Sequence, residues 1–268
     1  TLLRETSQRE DHPSLGRLAS ALGGLPLALV QAGAYLRENP SLSFDQYAGD
    51  LENRLGKAPD DWSREDKLVS VTFETSILHA EESAPGASDL LTAASLFAPD
   101  NIPVALLTDD PGSGAAQVAV DALARFSLWR KGETGPHGPT YSVHRLLMRV
   151  VQSKLGADEL PGFVQAAAVR LERCFTGEMG DADSWRTNAP LAPHAVCLMQ
   201  AAEPKALDAS LLAVIGRTGQ FYAVQANDHI DEAVQFYRRV LDINQQILGP
   251  DHLEVADSLR NLAYVLTL

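Results

Sequence analysis

The sequence predicts a mainly α-helical chain interrupted by one short β-hairpin. Three observations carry that prediction. Apolar residues recur at intervals of three and four through most of the 268 residues, and prolines and glycines stand where such stretches begin and end. Between residues 127 and 143 this period gives way to two short β-like runs around Gly-Glu-Thr-Gly-Pro-His-Gly-Pro. Residues 227–268 hold two amphipathic helical patterns joined by Gly249-Pro250-Asp251.

The elements follow in order. Residues 13–38 read as a helical hairpin. Pro13 suits a first helical turn, where its missing N–H would have no partner. Leu15, Leu18 and Leu22 keep the helical spacing, and Gly23-Gly24 stops the helix because glycine accepts left-handed backbone. Pro26 starts the second helix, with Leu25, Leu29, Ala32 and Leu36 in period, and Asn39-Pro40 ends it. Residues 44–55 form another helix, and residues 57–66 are polar enough to read as a loop. Residues 70–78 open a new helical unit and residues 88–98 a strongly apolar helix; a short helix begins at Val104. Residues 115–127 form a helix with Val118, Ala122, Leu123 and Phe126 on one side. Residues 127–130 and 140–143 are the two strands, and the glycines and prolines between them suit an extended hairpin tip. A helix over 144–155 completes the layout of a winged helix. Residues 163–175 and 193–202 are further helices around a polar, loop-like 176–185, and from Ala206 onward the chain is helical apart from turns near Asn227 and Gly249. The expected organisation is a small helical domain (1–68), a winged helix (69–157), a helical linker (158–205) and the start of a helical repeat array (206–268). The last helix would leave an apolar face uncovered, so the array is expected to continue and the chain to be a piece of a longer protein.

Composition narrows the function classes. With 22 basic and 35 acidic residues the net charge is −13, which repels phosphate backbones and anionic lipid. The richest basic cluster, residues 125–131, holds only Arg125, Arg130 and Lys131. No stretch approaches the ~18 apolar residues of a membrane span. The first residues lack the order of a signal peptide. Two cysteines, Cys174 and Cys197, give neither a disulfide framework nor zinc spacing, so a reduced cytoplasmic setting is expected. The seven histidines show no ligand spacing, so no metal site is expected. No Gly-x-x-x-x-Gly-Lys-[Ser/Thr] exists: Gly56-Lys57 is followed by Ala58, and Leu51 stands where the first glycine would be. No catalytic constellation stands in its place, so the chain alone is not expected to be an enzyme.

Two short motifs remain. Gly23-Gly24-Leu25-Pro26-Leu27-Ala28-Leu29 turns one helix into the next. Tyr141-Ser142-Val143-His144-Arg145-Leu146-Leu147-Met148 puts a histidine at the start of a helix, where it either caps that helix or donates to an anion. In this order the two resemble the GLPL and MHD-type motifs of NB-ARC (STAND-class) nucleotide switches. The chain looks like the part that follows their P-loop domain. Residues 231–263 resemble tetratricopeptide repeats of the kinesin-light-chain type, with Leu253 in place of the usual proline; an ordinary helical bundle is the alternative. Trp185 with Pro193-His194 is similar to the linker of members with such repeats, and Trp185 is expected to pack in a core.

The resemblance implies a cofactor and partners. Pro26 would lie against the adenine of ADP or ATP (with magnesium), Gly24 would allow close backbone approach, and His144 would contact the β-phosphate; Val143 and Arg145 depart from the MHD pattern. The nucleotide would be held chiefly by a missing N-terminal P-loop domain, so only the full-length protein would be a slow ATPase. Exchange of ADP for ATP would release the winged helix and permit homo-oligomerisation, while the repeats sense a protein or peptide. Prokaryotic defence or regulation and fungal self-recognition both fit. Two other readings stand: a nucleotide-independent interaction scaffold, and a DNA-binding regulator. The second is disfavoured because Arg125 is the only cation of the helix that would enter the groove.

Overall fold

The computed structural model describes residues 2–10, 12–56, 63–176, 182–202, 211, 214–219 and 230–267. They are mainly helical, with a three-stranded antiparallel sheet in the order β1-β3-β2. The helices are α1 Leu2–Ser7, α2 Pro13–Ala21, α3 Pro26–Glu38, α4 Phe44–Leu55, α5 Arg64–Ser83, α6 Ala87–Ser95, α7 Gly114–Arg125, α8 Arg145–Lys154, α9 Leu160–Cys174, α10 Ala182–Asn188, α11 Ala192–Ala201, α12 Ile230–Leu248 and α13 Leu253–Leu266. The strands are β1 Ile102–Pro103, β2 Trp129–Gly135 and β3 Gly138–Val143. No described helix is long and apolar enough to cross a membrane.

The chain divides into two compact units. One comprises Thr1–Leu91, Asp110–Lys131 and Tyr141–Lys154; the other comprises Thr92–Asp109, Gly132–Thr140 and Leu155–Leu268.

In the first unit the α2–α3 hairpin forms as its prolines and glycines dictate, and Leu18, Leu22, Ala32 and Leu36 are fully buried. α1 is an element the sequence did not announce. It lies across α3 at Gly33, where only the absence of a side chain admits Thr6 and Ser7. Behind it Arg9 donates to the carbonyls of Leu42 (2.6 Å), Asn39 (2.7 Å) and Leu36, capping the end of α3 with a fixed charge. α4 opens with a reciprocal capping box between Ser43 and Gln46. α7 is fixed by Trp129, whose Nε1–H donates to the Val120 carbonyl at 3.1 Å while its ring stacks on Tyr141 at 4.6 Å.

Several expectations need correction. α5 begins at Arg64, not in the seventies, because Ser63 accepts the Asp66 N–H (3.1 Å) and caps the helix; the rest of the expected loop, residues 57–62, lies outside the described residues. Val118 is 52% exposed, since the buried side of α7 runs through Ala119, Val120, Ala122 and Leu123. Both strands reach into the expected hairpin tip, leaving Pro136-His137 as the turn before Gly138 at φ 93°. The short helix at Val104 is a 3-10 turn, and Ile102–Pro103 before it joins the sheet. The helix over residues 182–188 takes in residues 182–185 of the expected loop, although the Trp185 side chain lies outside the described residues.

In the second unit Arg170 of α9 donates to the Leu107 carbonyl (3.2 Å) and to Asp109 (3.1 Å), and Arg173 shares the same carboxylate. These two guanidiniums hold the Asp109 carboxyl below its ordinary range. Of the stretch expected to be helical from Ala206 to the turn near Asn227, residues 211 and 214–219 are helical and the others lie outside the described set. Gly219 allows this segment to reach α12, because a side chain there would come within 3.2 Å of Phe236 and 3.3 Å of Tyr237. α12 and α13 pair across a buried hydrogen bond from Asn244 Nδ2 to Ser258 Oγ (2.8 Å), and Gly249 at φ 84° makes the turn between them.

Candidate functional site

The first motif is a helix stop followed at once by a helix start. Beyond α2 the Gly23 N–H donates to the Ser20 carbonyl and the Gly24 N–H to the Ala19 carbonyl, each at 3.0 Å. That pair of bonds defines a Schellman cap, and it requires left-handed backbone after the helix. Both glycines sit at φ 66°. Leu25 is extended and Pro26 occupies the first position of α3, with no side chain capping that end. Gly24 and Pro26 are exposed, and nothing lies within 4 Å of the place a Gly24 side chain would take. The result is an open turn at a positive helix end, with the flat proline ring facing solvent.

His144 follows β3 directly. Its Nδ1 accepts the Leu146 N–H at 3.2 Å and its carbonyl accepts the Met148 N–H at 3.1 Å, so it caps α8. Capping is one of the two roles the sequence left open. It also settles the neutral tautomer: with Nδ1 accepting, the proton sits on Nε2, the nitrogen not used by the cap. The residue is exposed, as are Arg145 and Arg149 of the same helix.

Both motifs adjoin α5. A side chain at Gly23 would stand 3.4 Å from Leu68, in the second turn of α5. α8 packs on the same helix, tied by Lys154 Nζ to Glu74 at 3.0 Å. Between them a groove of about 620 Å³ is lined by Ser63 and Asp66 of the α5 start and by Leu146, Arg149, Val150, Gln152 and Ser153. Gly24, Pro26 and His144 do not line it. The groove residues were missed in the sequence; the signal was Ser63 three residues before Asp66, a helix-start pattern. Among the described residues no group of three or more His, Cys, Asp or Glu is placed to hold a metal ion.

His194 of the second unit, expected as part of a linker signature, is a core residue. It is 1% exposed, its Nε2–H donates to the Asn101 carbonyl (3.3 Å), and Phe97 meets it edge-on. Nδ1 has no hydrogen-bond partner. Burial pushes its pKa down to about 4, against a smaller opposing effect of the Asn101 carbonyl.

No protein-family model matches the chain, and no curated protein matches it.

Proposed function

We infer that this chain is the regulatory portion of a STAND-class, nucleotide-dependent signalling switch in the cytoplasm. Gly24, Pro26 and His144 close over ADP or ATP that a separate P-loop domain holds with magnesium, and the helical repeats engage a protein or peptide. The observation that supports this reading is that the α2–α3 turn and the helix capped by His144 both lie on α5, with Gly24, Pro26 and His144 themselves exposed. Gly23, next to the exposed Gly24–Pro26 turn, faces Leu68 of α5, and α8, the helix that His144 caps, packs on the same α5 through Lys154 and Glu74. The uncapped start of α3 and the Nε2–H of His144 are suited to an anion, and the Pro26 ring to a flat apolar base. Nucleotide acts on such a switch only through its different affinity for closed and open forms. Oligomerisation follows in the open form.

Without a phosphate cradle, the chain alone is expected to show no ATP turnover above background. Turnover by the purified chain on the order of 1 s⁻¹ or more, an enzyme-like rate, would contradict the assignment.

A nucleotide-independent scaffold is favoured by a different observation. α13 exposes Leu259 (48%), Tyr264 (56%) and Leu266 (57%), apolar area suited to a partner helix. A P-loop in the roughly 150–200 residues before Thr1, about one domain's length, favours the switch; its absence favours the scaffold. The DNA-binding reading loses ground, because Arg125 of α7 lies 3.9 Å from the Glu38 carboxylate.

A further inference from the structure

Two opposite charges line the groove between α5 and α8 without meeting. Asp66 enters it from the first turn of α5 and Arg149 from the middle of α8. They are the only charges among the described residues that line the groove, and no ion pair joins them. The helices that carry them are fixed. Ser63 Oγ donates to the Asp66 carboxylate at 2.7 Å and accepts the Asp66 N–H at 3.1 Å, and Lys154 Nζ ties α8 to Glu74 of α5 at 3.0 Å. The rest of the wall mixes Leu146 and the buried Val150 with the hydroxyl of Ser153, which donates to the Val150 carbonyl and keeps its lone pairs for a ligand.

Each charge excludes a class of ligand. A phosphate or other simple anion would meet the Asp66 carboxylate, and a simple cation would meet the Arg149 guanidinium. A molecule carrying both signs satisfies the two at once. The volume of about 620 Å³ lies in the range of small-molecule sites and is more than one free amino acid fills. From this we propose that the groove binds a short peptide with free termini and an apolar side chain. Its ammonium group sits on Asp66. Its carboxylate sits on Arg149, whose planar fork can offer two parallel N–H donors. Its side chain covers Leu146 and Val150. Gly24, Pro26 and His144 take no part, so the site does not rest on the nucleotide reading.

Titration of leucyl-leucine into the isotope-labelled 268-residue chain, followed by amide NMR, tests the site. Saturable shifts are expected at residues 63–66 and 146–153, with a dissociation constant on the order of 1 mM, since exposed charges bind weakly. N-acetyl-leucyl-leucine, which lacks the ammonium group, and leucyl-leucine amide, which lacks the carboxylate, are each expected to bind about fivefold more weakly. Asp66→Asn should weaken leucyl-leucine by the same factor and leave the acetylated form unaffected; Arg149→Gln should do the same for the parent peptide and the amide. Absence of saturable shifts at about twenty times that constant would overturn the proposal. So would shifts that map elsewhere, or equal binding of the parent and capped peptides by the unsubstituted chain. A variant that weakens its matching capped peptide as much as the parent would also overturn it, because the charge would then not be the point of contact.

Discussion

Gly33→Ala is expected to lower the stability of the chain by about 2–3 kcal/mol, the usual range for overpacking a tight contact. The methyl group would overlap the Thr6 side chain and stand 3.2 Å from the Ser7 backbone nitrogen. Thr6 cannot easily turn away, since its hydroxyl donates to the Leu2 carbonyl at 2.9 Å within α1. α1 must therefore lift, taking Leu3 (1% exposed) out of the core. For a chain of this size such a loss lowers Tm by roughly 5–10 °C, which thermal unfolding followed by circular dichroism reads directly. Thr6→Gly in the same chain should restore part of the loss, because it removes the side-chain overlap and leaves only the tight backbone approach. An unchanged Tm in Gly33→Ala would mean that α1 does not seat on α3.

The second large effect is a loss of stability in acid that comes from His194. A buried imidazole with its pKa depressed to about 4 is neutral in the folded chain, while the unfolded chain titrates near 6.5. Above pH 6.5 the contribution is fully present. As pH falls below 6.5 the unfolded state takes up the proton first, so stability drops until the folded state also protonates near pH 4. At ~1.4 kcal/mol per pH unit the total is about 3 kcal/mol. His194→Phe removes the titrating group. Urea unfolding of both proteins at pH 7 and pH 4.5 is expected to give a clearly smaller pH-dependent loss for the variant. Parallel losses would show that His194 is not held neutral by burial. Carboxylates affect both proteins alike and cancel in the comparison.

What could be read from the sequence was local. Pro13, Gly23-Gly24, Pro26 and Asn39 set the bounds of α2 and α3 because each acts on its own turn of backbone. The helix bearing His144 was legible for the same reason, as was the helix–hairpin–helix order. What escaped depended on contacts between distant residues. α1 is short and gains its place only through Gly33, some thirty positions away. Val118 keeps the helical spacing of a core residue, but packing turned the neighbouring stripe of α7 inward. The strands extend into a segment rich in glycine and proline because pairing between them and with β1 outweighs weak local preference. Of the candidate site, the residues and their helix ends were legible. The use of His144 Nδ1 as a cap was one of two open roles. The groove of Ser63, Asp66 and Arg149 was not legible, because it joins residues about eighty positions apart.

The most direct measurement is ADP affinity in the full-length protein, by titration calorimetry, with Pro26→Ala and His144→Ala each compared with the unsubstituted protein. The account predicts about tenfold or greater weakening in His144→Ala, the worth of one charge-assisted hydrogen bond to phosphate, and a smaller loss in Pro26→Ala. Affinity unchanged in both variants would contradict it, since neither the α3 turn nor the α8 cap would then touch the nucleotide.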